Sequence, residues 1–82
     1  MAAIALDNIA AEVSPFEDPE GPMYPFHIQA IRNMGLMVGE LWGLEELAAD
    51  CAEDNVYEFC LIASPLKITN GAGSPVNPIA IK

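Results

Sequence analysis

The sequence predicts an α+β fold, two helices on a small mixed sheet, and three stretches carry that prediction. Residues 26–34, FHIQAIRNM, place Phe26, Ala30 and Met34 at the spacing of one helix face, with Ile31 beside them. Residues 43–53, GLEELAADCAE, put Leu44, Leu47, Ala48 and Cys51 on one face and keep Glu45, Glu46, Asp50 and Glu53 mostly off it. Residues 56–66, VYEFCLIASPL, are β-branched, aromatic and nearly all apolar, which is the composition of a strand. A length of 82 residues holds one domain at most, so residues 1–82 are expected to fold as a single unit.

The remaining elements follow in chain order. Ala2 to Leu6, AAIAL, is too short for periodicity to separate helix from strand. It reads as a strand ending at Asp7, with a second extended piece over Ile9 to Val13. Residues 14–25, SPFEDPEGPMYP, carry four prolines and a glycine, which exclude both helix interior and central strand. This is an acidic surface loop, either a solvated connector or a lid. Pro25 then stands where a helix starts, and Gly35 is placed to take the left-handed position that ends it. Leu36-Met37-Val38 reads as a short strand, with Met37 and Trp42 expected in the core. Asp54-Asn55 is a turn, Pro65 marks a strand end or edge, and Val76 to Ile81 is a last short strand.

The run PLKITNGAGSPVNPIAIK, residues 65–82, contains a glycine turn that could be taken for a phosphate loop. A phosphate loop needs a helix directly after its glycines, so that free N–H groups face the anion. Pro75 and Pro78 leave no room for one, and no Lys follows Gly73. A tight connection in a sheet, with the glycines supplying positive φ, is the expectation.

Composition narrows the function classes. Apolar residues make up 52% of the chain and charged ones 18%, against about 25% in an average domain. That is too apolar for disorder. A domain this small buries only about 60–65% of its unfolded surface, so part of the apolar material is expected to hide in a dimer or larger homo-oligomer. Twelve acidic residues against three basic ones give a net charge of −9. Such a chain repels phosphate backbones and anionic lipid, which argues against nucleic-acid and membrane partners. No secretory leader pattern opens it, and Cys51 and Cys60 lack CxxC spacing. Both thiols are expected reduced, in the cytoplasm.

The segments IALDNIAAE (4–12), HIQAIRNMGLMVGELWGLEELA (27–48), VYEFCLIASPL (56–66) and PLKITNGAGSPVNPIAI (65–81) together resemble, in order and spacing, the cyclase family, metal-dependent hydrolases related to kynurenine formamidase and isatin hydrolase. The resemblance covers nearly all of this chain but only the last third of such a protein. It implies a compact α+β (swivelling β/β/α) fold, here partial and completed by self-association. It also implies active-site roles for His27 and Glu40, one relaying protons beside metal-bound water and the other assisting at the metal. The family's ligand motif, His-x-Gly-Thr-His-x-Asp, is absent, and His27 is the only histidine.

From the residues themselves, a hydrolytic metal wants about three protein ligands and an open position for water. Asp7, Glu12, His27 and Glu40 are the side chains of suitable type. Each residue type also suits a purely structural place: a histidine at a helix start and solvated carboxylates. Spacing alone does not force them together. No metal is expected for the isolated chain; Mn or Zn would come with a partner that completes the site.

Three functions are therefore open. One is a non-catalytic, self-associating remnant of a cyclase-family hydrolase. The second is the C-terminal half of a split amide or lactam hydrolase, completed by an N-terminal half. The third is a small-molecule binding module with its pocket around His27, Glu40 and Trp42.

Overall fold

A computed structural model describes residues 1–13 and 20–82, so the loop expected over 14–25 lies outside the described residues as far as position 19. The fold is α+β, in two compact units, Met1–Leu44 and Glu45–Lys82. Among the described residues parallel and antiparallel pairing both occur, but in two separate two-stranded sheets rather than one mixed sheet.

The first unit contains β1 (Ala3–Ala5), α1 (Pro25–His27) continuing as a π-helical segment (Ile28–Asn33), and β2 (Met37–Gly39). β1 and β2 are parallel, with Ala3 opposite Met37, Ile4 opposite Val38 and Ala5 opposite Gly39. Parallel neighbours cannot be joined by a hairpin; they need a crossover, and the helix supplies it. Backbone bonds then run past the strand ends. Leu6 N–H donates to Gly39 O at 3.0 Å, Trp42 N–H to Leu6 O at 3.0 Å and Leu41 N–H to Asn8 O at 3.1 Å.

Those bonds explain why Ile9 to Val13 forms no strand, contrary to expectation. The Asn8 side chain donates to Ala10 O at 2.9 Å and Ala11 N–H donates to Glu40 at 2.6 Å, so this backbone is occupied by local and side-chain partners. Pro25 opens the helix as predicted. Beyond His27 the turns widen, and Met34 N–H reaches Gln29 O at 3.0 Å, five residues back. The stripe drawn at α-helical spacing therefore fails at its far end: Ala30 is 2% exposed, Met34 is 73%. Gly35 ends the helix at φ +67°, its N–H on Ile31 O at 3.1 Å. Met37, expected in the core, is 67% exposed, while Val38, whose side chain points to the opposite face of β2, is partly buried. Trp42 is partly buried and packs on Gly39, where a Cβ would lie 2.7 Å from the indole Cε2.

The second unit contains α2 (Glu45–Asp54), β3 (Cys60–Ile62) and β4 (Ile79–Ile81). Cys51 is the buried residue of α2. The helix stops at the predicted turn: Asn55 has φ +58° and Val56 N–H donates to Asp54 Oδ1 at 2.9 Å. The long strand expected over 56–66 contracts to three residues, those paired with β4 (Cys60 with Ile81, Leu61 with Ala80, Ile62 with Ile79). Strand-forming side chains cannot make a ladder where no neighbour offers backbone partners.

The link from β3 to β4 is long, not the tight connection expected. Its positive φ falls on Asn70 (+59°) and not on a glycine. Gly71 N–H closes the turn on Ile68 O at 3.2 Å. A Cβ at Gly71 would meet Ile68 Cβ at 3.1 Å, so closeness rather than handedness calls for glycine there. No helix follows the glycines.

Lys82 Nζ reaches Asp50 Oδ2 at 2.7 Å and both Asp54 oxygens at 2.9 Å, fastening the segment after β4 to the last turn of α2. The last turn of α2 has no basic residue of its own, and this cation answers its carboxylates and the negative helix end. The ion pairs with Asp50 and then Asp54 raise the Lys82 pKa, and the bond to Lys82 lowers that of Asp54. Cys51 and Cys60 are unpaired. Among the described residues no helix is long and apolar enough to cross a membrane.

Candidate functional site

The crossover topology gathers three of the candidate residues. In a strand–helix–strand unit both parallel strands end on the same edge, and the helix between them starts there. Glu12 follows β1, His27 stands at the helix start and Glu40 directly follows β2. All three meet beyond the carboxyl ends of the strands.

Glu12 is the centre of the cluster. Pro25 has no N–H, and Tyr24 at the N-cap makes no side-chain cap bond, so the first helical N–H groups need an acceptor from elsewhere. Glu12 provides it: Phe26 N–H donates to Oε2 at 3.1 Å and His27 N–H to Oε1 at 2.7 Å. The same Oε1 lies 2.8 Å from His27 Nδ1. The side chain is only 5% exposed. Burial pushes its pKa up, but the His27 N–H, the His27 ring and the Phe26 N–H together outweigh that and hold the carboxyl below its ordinary 4.5.

An ionised carboxylate only accepts, so Nδ1 carries a proton and the imidazole is locked in orientation. Its other nitrogen, Nε2, faces Glu40 Oε1 at 3.3 Å. Glu40 is held in turn by the Ala11 N–H at 2.6 Å on that same oxygen. Tyr24 and Phe26 flank the imidazole edge-on, with centroids 5.8 and 6.3 Å away. The result is a carboxylate–imidazole–carboxylate row that can hold or pass a proton at Nε2.

The structure brings together His27 and Glu40 but not Asp7, which sits on the exposed bend after β1 and whose carboxylate makes no bond among the described residues. Glu12, considered only as a generic ligand in the sequence, is the group that orients His27. The available signal was the helix start itself, a proline at N1 behind a residue unable to cap. An open apolar cleft of about 420 Å³ lies beside His27, lined by Tyr24, His27, Ile28, Ile31 and Arg32. Of His27, Glu40 and Trp42, the residues around which the sequence suggested a pocket, His27 lines this cleft and Glu40 and Trp42 do not.

The donor set does not fit a hydrolytic metal. Among the described residues no three His, Cys, Asp or Glu side chains are placed to hold an ion. Glu12 already accepts three donors, which leaves His27 Nε2 and Glu40 where about three ligands are needed.

No family model matches the chain, and no curated protein matches it. A solved structure does: a crystal structure described as that of a novel cyclase aligns with 99% of this chain at 49% identity and a TM-score of 0.80. The chain spans 25% of that cyclase's length. It is thus similar, almost end to end, to one quarter of a cyclase, which supports the relationship suggested by the sequence.

Proposed function

We propose that this chain supplies the proton-transfer part of a cyclase-like hydrolytic site acting on cyclic or aryl amides, with the remaining groups, including the ligands of any Mn or Zn, contributed by other polypeptide. The observation that carries the reading is the Glu12–His27–Glu40 row beyond the ends of two parallel strands. In it Glu12 fixes the ring, His27 Nε2 accepts or returns the proton, and Glu40 stands beside it. The similarity to only a quarter of a cyclase supports incompleteness of the site. Two unpaired thiols suit a reducing, cytoplasmic setting.

Complementation tests this. The solved cyclase is expressed without the quarter matched here, mixed with this chain and Mn or Zn, and assayed on an aryl amide and a lactam. Hydrolysis should appear with the wild-type chain and fall at least about 100-fold with His27→Ala. A complex that forms and hydrolyses neither substrate, or hydrolyses equally with His27→Ala, would remove the reading.

A second reading has its own support: a non-catalytic chain that self-associates. Among the described residues the only buried apolar side chains are Ala30 and Cys51, while Leu61, Ile62, Ile79 and Ile81 of the β3–β4 ribbon are exposed. A homo-oligomer that excludes the truncated cyclase would favour it.

A further inference from the structure

Five asparagines stand in this chain, and one of them, Asn70, is followed by a glycine. The turn from Ile68 to Gly71 holds Asn70 in the left-handed region, φ +59°, and closes with Gly71 N–H on Ile68 O at 3.2 Å. That distance is at the long end for such a bond. Residues 64–73 are all exposed, so opening the turn costs little. The Asn70 side-chain amide makes no hydrogen bond among the described residues.

Each of the other four is restrained. Asn8 Nδ2 donates to Ala10 O at 2.9 Å, and the β-branched Ile9 follows it. Asn33 Nδ2 donates to Gln29 Oε1 at 2.9 Å, and the next N–H, that of Met34, is engaged by Gln29 O at 3.0 Å. Asn55 shares the left-handed backbone, φ +58°, but β-branched Val56 follows it, with its N–H on Asp54 Oδ1 at 2.9 Å. Asn77 precedes Pro78, whose nitrogen carries no hydrogen. At Asn70 a side-chain amide without a partner, a following nitrogen with no Cβ to shield it and a weakly closed turn coincide.

We propose that Asn70 is a self-modifying site, converted to aspartate and isoaspartate through a cyclic imide formed with Gly71. When the turn opens, the Gly71 nitrogen gives its proton to hydroxide and attacks Asn70 Cγ. The new C–N bond closes a five-membered imide, and the side-chain nitrogen leaves as ammonia with a proton from water. Water then opens the imide. Cleavage between the Gly71 nitrogen and Cγ leaves aspartate; cleavage of the original peptide bond leaves isoaspartate, with the main chain rerouted through Cβ and Cγ. The balance is amide plus water to carboxylate plus ammonium, with no oxidant or cofactor. Either product adds a negative charge to a chain already at −9. Isoaspartate also lengthens the main chain inside a tight turn, where a Cβ at Gly71 would already meet Ile68 Cβ at 3.1 Å, so the turn cannot close again in its original register. The link between β3 and β4 thus carries an irreversible alteration that does not depend on chemistry at His27.

The test is to hold the folded full chain at mildly alkaline pH and follow it by peptide mass spectrometry, with a sample digested at time zero as the background. Cleavage after Lys67 releases residues 68–82, which carry Asn70 and Asn77 together, while Asn55 lies in the preceding peptide. The exchange of NH2 for OH should accumulate at position 70, partly as isoaspartate, at least about tenfold faster than at Asn55 or Asn77. The rate should rise with pH, because the nucleophile is the deprotonated amide. Gly71→Val should slow it at least about tenfold, even if the added side chain loosens the turn, since loosening by itself only frees the nitrogen. Deamidation at Asn70 no faster than at Asn55, which shares its backbone conformation, would overturn the proposal without any variant. So would an undiminished rate in Gly71→Val, or a product at position 70 free of isoaspartate.

Discussion

Glu12 decides the local structure because one carboxylate accepts three donors at once. Glu12→Gln keeps the shape but weakens all three bonds, and Glu12→Ala leaves the Phe26 and His27 N–H groups without an acceptor. The alanine variant should lower the melting temperature by about 4–8 °C or more, read by circular dichroism, with the glutamine variant in between. The folded carboxyl sits below its ordinary 4.5, so its contribution is complete above that pH and fades as pH falls through the depressed value. Denaturation midpoints from pH 7 down to pH 2 should thus drop less steeply in Glu12→Ala than in the wild type. Sequence made His27 and Glu40 visible as candidates through residue type and resemblance. It did not make Glu12 visible as their organiser, because a cap contributed from fourteen residues away obeys no local spacing rule.

At the scale of elements, what could be read were the signals written in single residues: Pro25 opening the first helix, Gly35 closing it and Asn55 closing α2. What could not be read depended on neighbours. The run 56–66 has the composition of a long strand, yet only Cys60–Ile62 finds a partner. The widening after His27 changes hydrogen-bond register without changing composition, so a stripe at α-helical spacing misplaces Met34. Two glycines separate backbone from packing. Gly35 has φ +67° and open space around it, so Gly35→Ala should cost about 1 kcal/mol, and Gly35→Asn less, in urea denaturation. Gly39→Ala drives a methyl into the Trp42 ring and should cost about 1–3 kcal/mol, with a shift in tryptophan fluorescence that Gly35→Ala lacks. In the second unit, Lys82→Met frees Asp50 and Asp54. The Asp54 stabilisation, present above its ordinary 3.8 and lost as pH falls, should shrink on the acid limb to what the Val56 N–H bond sustains; that of Lys82, lost as pH rises past 10.5, should vanish from the alkaline limb.

For the whole molecule, burial is the governing quantity. A parallel pair of strands is normally covered on both faces and flanked by further strands, and a lone two-stranded sheet is marginal in water. Among the described residues each sheet has two strands, and large apolar side chains from Met37 to Ile81 are exposed. The purified chain should therefore scatter light as a multiple of 8.8 kDa, or take up the truncated cyclase in its place; a stable monomer under both conditions would contradict this. Topology, helix start and buried carboxylate all converge on one imidazole, and His27 is the only histidine, so its ring nitrogens give a single unambiguous spectrum. Nitrogen-15 NMR at neutral pH should find Nδ1 bearing its proton, and Glu12→Gln should redistribute it. A wild-type ring protonated on Nε2 with Nδ1 bare would contradict the account at its centre.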